Sequence, residues 1–334
     1  MRSLACPHCG QRVFFENSRC LRCHQEFGFD PSELAMRLPD DQHRACANRG
    51  GPVACNWLLT AHETGPLCRS CILTRTIPDL SQPDAHLRLQ AVEQAKRRAL
   101  YAHSRMGLDD LLDGMVFDVL ADPQARAGGP PTIPMGHSRG LITLNLEEAD
   151  PGYRARTQVA LDESYRTVLG HIRHETGHYF WPRLVGPDAQ RLQAFRELFG
   201  DERRDYGQAL AEHYARSDAR FDRRAYVSAY AGSHPLEDWA ETWAHLMHIL
   251  DTVESAGAMG IVDEDAPGPP VDPYTQLEAR PLLERFRRLT AVLNELNRAL
   301  GQDDAYPFAL GDGAMAKLTF IHGILQRHRA GVGG

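Results

Sequence analysis

A chain of 334 residues with 43% hydrophobic and 24% charged content can bury a substantial core and is long enough for two domains. Its formal net charge of −7 argues against a general polyanion binder, and no run of eighteen apolar residues offers a membrane span. The opening MRSLACPHCG has neither the apolar stretch nor the small-residue cleavage site of a secretory signal, so a cytoplasmic protein with no membrane attachment is expected.

All eight cysteines fall between Cys6 and Cys71. Cys6-Pro-His-Cys9 and Cys20-Leu-Arg-Cys23 form two CxxC knuckles around a spacer containing Val13, Phe14 and Phe15, which reads as a zinc ribbon. Two tight turns of this kind present four thiolates to one ion. Cys46, Cys55 and the knuckle Cys68-Arg-Ser-Cys71 make a second set of four with looser spacing. A disulfide framework is the competing reading, and the knuckle spacing favours metal over it. Four thiolates leave no position for water, so both sites are expected to be structural; zinc and iron both remain open for the second. The first eighty residues hold nine Arg against eight acidic residues, a weak electrostatic footprint for nucleic acid, although Arg12, Arg19, Arg22 and Arg44 could form a local patch. A ribbon pair that recruits a protein partner fits this balance better.

Beyond a boundary at 76–83, the pattern predicts an Arg-rich amphipathic helix over 84–106, a strand over 115–120, a Gly/Pro loop over 128–134 and a second strand over 140–146. The second strand is either an ordinary internal strand or a sheet edge along which an extended peptide would lie.

The run GHIRHETGHYFW follows. On a helix, residues four apart share a face, so His174 and His178 can reach one metal ion while Glu175 stands beside them as a general base. A hydrolytic zinc site needs a third protein ligand and one position for water. The metzincin pattern HExxHxxGxxH is excluded, because Trp181 and Leu184 stand where it needs Gly and His. Helices are expected over 189–215 and 221–230. They lead to His234-Pro-Leu-Glu237-Asp238-Trp239-Ala240-Glu241, whose ExxAE core supplies two carboxylates four apart. Glu237 is the expected third ligand, with Glu241 supporting a histidine ligand by a hydrogen bond. The alternative takes Glu241 as ligand and His245 as its partner; Asp238 points to another face.

The HETGHYFW segment, the SAYAGSHPLEDWAETWAHLMHILDTVE segment and the cysteine-rich N-terminus together resemble a bacterial family of zinc-binding metallopeptidases with an N-terminal zinc ribbon. The EDWAETWAHLMH run is also similar to the third-ligand helix of gluzincins such as anthrax lethal factor, where the first Glu of ExxAE binds zinc. That resemblance implies the same role for Glu237. It also implies an oxyanion-stabilising Tyr about two turns earlier, where Tyr230 stands, with Tyr226 and His234 as substitutes.

The expected fold is α+β: a mostly helical zincin-like domain with a small sheet over 84–256, preceded by a zinc-ribbon region over 1–80. A linker and helices at 275–300 and 314–328 complete it over 257–334. The expected function is zinc-dependent hydrolysis of peptide or protein substrates, with one catalytic and two structural Zn2+ ions. The alternative is a catalytically latent zincin fold that binds or regulates a protein or nucleic acid through its ribbons. Trp181, Trp239 and Trp243 are expected as core around the metal helices, and His171, His248, His322 and His328 as ordinary packing or surface histidines.

Overall fold

A computed structural model of the chain describes residues 1–161, 166–215, 221–261 and 272–332. Two compact units emerge, one from Met1–Arg105 with Leu112–Ile172, the other from Met106–Leu111 with Arg173–Gly334. All three boundaries fall inside the span read from sequence as a single 84–256 core.

In the first unit the CxxC pairs dictate local structure. Gly10 N–H donates to the Cys6 carbonyl and His24 N–H to the Cys20 carbonyl, each at 3.0 Å. The residue after each second cysteine is left-handed, Gly10 at φ +72° and His24 at φ +60°. Short antiparallel pairs follow: β1 (Leu4–Ala5) with β2 (Arg12–Val13), β3 (Gly28–Asp30) with β4 (Ala35–Arg37), and β5 (His43–Ala45) with β6 (Leu58–Thr60). These strands are too short to stand alone. Their support is an aromatic cluster in which the Phe15 ring lies 4.8 Å from Phe29 and 5.7 Å from Tyr101, with Phe29 5.5 Å from Trp57. After β7 (Thr74–Thr76) the chain enters α1 (Ala85–Arg105), which carries Tyr101 and therefore joins the ribbon core to the rest of the unit.

The remaining elements of this unit are β8 (Val116–Leu120), α2 (Pro123–Arg126), β9 (Gly136–Ser138), β10 (Leu141–Asn145) and α3 (Pro151–Leu161). The sheet order is β7-β8-β10-β9, parallel across the first three strands and antiparallel between β10 and β9. Phe117, Val119, Ile142 and Leu144 are fully buried, as expected of central strands. Arg139 and Gly140, both at positive φ, close the two-residue β9–β10 hairpin. The segment considered as a substrate edge is thus an internal strand, and β9 occupies the edge.

Helix α4 (Val168–Leu184) starts in the first unit and continues into the second, which contains α5 (Ala189–Phe199), α6 (Tyr206–Ala215), α7 (Pro235–Ala258), α8 (Ala279–Ala299) and α9 (Asp312–Val332). Helix α7 is central, packed on α5, α8 and α9. Two expectations need correction. The helix over 189–215 is broken at Gly200, whose φ of +104° ends α5. Residues 221–230 form turns instead of a helix, and their carbonyls bond elsewhere: Gly313 N–H donates to the Arg224 carbonyl and Lys317 Nζ to that of Ala225. The 257–273 linker lies largely outside the described residues. Among the described residues, no helix is long and apolar enough to cross a membrane.

Candidate metal centre

Helices α4 and α7 touch through a glycine. A Cβ on Gly177 would stand 3.0 Å from the Ala240 Cα and 3.1 Å from Trp243 Cδ1, so only Gly allows this approach. Trp239 Nε1 donates to the Gly177 carbonyl at 2.9 Å, pinning the contact. Trp239 and Trp243 are fully buried, and Trp243 stacks on Phe180 at 5.1 Å. These tryptophans are core.

The approach brings three candidate ligands together, two imidazoles and one carboxylate. His174 Nε2 lies 3.0 Å from Glu237 Oε2 and 3.1 Å from His178 Nε2, and His178 Nε2 lies 3.3 Å from Glu237 Oε1. Zinc bonds of about 2.0–2.1 Å to nitrogen or oxygen require tetrahedral edges of roughly 3.3–3.4 Å, so the three donors fit one zinc ion with a position left for water. Glu241 Oε1 meets His174 Nδ1 at 2.7 Å, while Ser228 Oγ donates to Glu241 Oε2 at 2.6 Å. Nδ1 is thereby engaged, which leaves Nε2 as the nitrogen facing Glu237 and His178. The alternative built on His245 does not form, since His245 Nδ1 pairs with Tyr306 OH at 2.6 Å. Asp238 faces Lys317 Nζ at 2.5 Å on another side of α7.

Charge follows this geometry. Burial opposes ionisation of His174, but its hydrogen bonds to Glu237 and Glu241 outweigh burial and hold its pKa well above the usual value. Glu237 is pushed the other way: burial would raise it, and the two histidines bring it far below the ordinary carboxylate range. Glu241, buried and opposite His174, falls to about 2. Glu175 is 6% exposed, and burial raises its carboxyl pKa, with the nearby charges of Glu237 and Glu241 adding to the effect and the two histidines opposing it.

Among the expected oxyanion donors, Tyr230 stands with its ring 5.9 Å from that of His174. His234 does not qualify: Nδ1 accepts from Leu236 N–H at 3.1 Å to cap α7, and Nε2 donates to the Arg204 carbonyl at 3.0 Å. Both nitrogens are committed to the fold. Tyr226 lies under Lys317, whose Nζ is 4.2 Å from the ring centre. Sequence reasoning missed Tyr206, whose hydroxyl donates to Glu237 Oε1 at 2.6 Å, and Ser228; neither belongs to a local pattern that would have revealed it.

The cysteines also gather as two sets of four, Cys6, Cys9, Cys20 and Cys23, and Cys46, Cys55, Cys68 and Cys71, all free thiols. The Cys6–Cys23 and Cys9–Cys20 sulfurs are 3.7 Å apart, and those of Cys55 and Cys68 3.6 Å. Zn–S bonds of about 2.3 Å require edges of roughly 3.8 Å, so both sets fit tetrahedral zinc, whereas a disulfide needs about 2.05 Å.

The model of a family described as "Putative zinc-binding metallo-peptidase" matches residues 85–324, and that of a zinc-ribbon domain matches residues 3–82. Uncharacterized proteins of Mycobacterium tuberculosis and Mycobacterium bovis are 36% identical over 336 aligned residues, covering 98% of this chain and 96% of theirs. No solved structure matches. By the extent of these matches, the chain belongs to that zinc-binding metallopeptidase family and carries a zinc-ribbon domain ahead of the family's own region.

Proposed function

We propose that the chain is a zinc peptidase of the gluzincin type, with His174, His178 and Glu237 holding the catalytic ion and the two cysteine sets holding structural zinc ions. The observation that carries this reading is Glu175, a buried carboxyl next in sequence to His174 and beside three convergent ligands. Metal binding alone does not call for such a base. When bound, the ion supplies Lewis acidity and brings the pKa of a coordinated water from 15.7 to roughly 7.

The chain's own residues do the rest. Glu175 takes the proton of the attacking water and returns it to the leaving amine nitrogen of the peptide. Tyr230 donates its phenolic hydrogen to the oxygen on which negative charge develops, a contact of a kind typically worth ~3 kcal/mol of barrier. Glu241 and Ser228 hold the His174 ring in place, and Tyr206 orients Glu237. The cysteine-rich region, with its near-neutral balance, serves protein contact rather than nucleic acid.

Cleavage of casein and of a peptide library by wild type and Glu175→Gln, with zinc content measured on both, tests this reading. Equal zinc content in both chains, with at least the two cysteine sets and the His174, His178 and Glu237 site filled, and cleavage only in wild type supports it. The same zinc content and no cleavage by wild type would favour a latent, binding or regulatory zincin fold.

A further inference from the structure

Among the described residues, Asp30, Glu33 and His43 form one more group whose ligand atoms lie within 4.8 Å of one another. It falls between the two cysteine sets in sequence, at the end of β3 and the start of β5, and none of its members has a role in the reading above. Asp30 is 0% exposed. Its Oδ1 is well satisfied, accepting from Ser32 N–H at 2.8 Å, Ser32 Oγ at 2.6 Å and Glu33 N–H at 3.4 Å. Its Oδ2 is buried and accepts no hydrogen bond. A buried carboxylate oxygen without a donor is costly and calls for a cationic neighbour.

The group facing Oδ2 is His43 Nε2, 3.4 Å away. The other ring nitrogen, Nδ1, lies 2.9 Å from Asp40 Oδ1, which already accepts the amide N–H groups of Gln42 at 2.8 Å and His43 at 2.7 Å. That oxygen is an acceptor, so Nδ1 carries the hydrogen. In the neutral imidazole, Nε2 then turns a lone pair toward a carboxylate oxygen that also has no hydrogen to offer. Two acceptors facing each other repel unless a cation sits between them. A separation of 3.4 Å is also the tetrahedral edge expected for zinc bonds of about 2.1 Å. A carboxylate on the far ring nitrogen is the usual orienting partner of a metal-bound histidine. Glu33, exposed in the β3–β4 turn and paired with Arg37 at the end of β4, brings a third ligand from the solvent side.

We propose that Asp30, Glu33 and His43 bind a divalent transition-metal ion, zinc by donor type and spacing, at a site separate from the two cysteine sets and from His174, His178 and Glu237. Two carboxylates and one imidazole hold such an ion less tightly than four thiolates, and Glu33 opens to solvent, so the ion exchanges readily.

Zinc uptake by the full chain, measured by elemental analysis after dialysis against a graded series of zinc buffers, tests the site. Wild type is expected to take up one exchangeable equivalent that His43→Gln lacks. Affinity for that equivalent should fall at least tenfold in Glu33→Ala and 10–100-fold in Asp40→Asn. Both Glu33 and Asp40 are exposed, so these two variants remain decisive if His43→Gln fails to fold. Equal uptake by wild type, Glu33→Ala and Asp40→Asn would overturn the site. Neither result bears on Glu175, so the peptidase reading stands or falls separately.

Discussion

Tyr206 OH donates to Glu237 Oε1 at 2.6 Å, placing a phenol on the carboxylate offered as third metal ligand. Tyr206 is partly exposed at the start of α6, and burial followed by the Glu237 charge raises its pKa, so it acts as a donor across the working range. A hydrogen bond to a charged group is worth roughly 1.5–3 kcal/mol. Tyr206→Phe should therefore lose zinc from this site to a competing chelator at 10–100-fold lower chelator activity than wild type. Unchanged retention would show that Glu237 does not need this donor.

Ser228, Glu241 and His174 form a chain of contacts, which predicts coupling. Glu241→Ala should weaken zinc binding more than Ser228→Ala. The double variant should match Glu241→Ala alone, because Ser228 acts only through Glu241. Additive losses in a double-mutant cycle on zinc affinity would contradict the relay.

Gly177→Ala tests the helix contact. Alanine is the better helix former by about 1 kcal/mol, yet its Cβ would stand 3.0 Å from the Ala240 backbone. Overpacking of this kind costs typically 1–3 kcal/mol and should prevail, lowering the melting temperature and loosening the metal ligands. A rise in melting temperature would mean that the helices part without loss.

Cys55→Ser should remove one zinc ion and perturb the cluster around Trp57, since a site of four thiolates contributes directly to folding. Metal content and red-shifted tryptophan emission report this. A disulfide or unmetallated thiol set would instead show no change in zinc.

Asp238 supplies a pH signature. Burial raises its carboxyl to about 7 from an ordinary 3.8, with Lys317 opposing the rise. A raised folded-state pKa favours the protonated form. The stability it contributes is fully present below 3.8 and is lost as the pH climbs through about 7. Denaturation midpoints of wild type relative to Asp238→Asn should fall across that window. A flat difference would refute the shift.

Local pattern was enough wherever the chemistry sits within one turn or one knuckle. The i,i+4 spacing of His174 and His178, the CxxC turns and the ExxAE run of α7 were legible because backbone geometry alone sets those side chains near one another. The same holds for α1 and the strand near 115–120, which periodicity placed within a residue or so. What periodicity could not decide was which distant groups meet. Tyr206 and Glu237 are 31 residues apart, His174 and Glu237 63, and their convergence depends on how α4, α6 and α7 pack. Capping took His234 out of the site, 221–230 formed turns whose carbonyls bond Gly313 and Lys317, and sheet order put β10 inside rather than at the edge. Each of these outcomes is a competition between a local preference and a long-range partner, and only the folded chain brings the partner into reach.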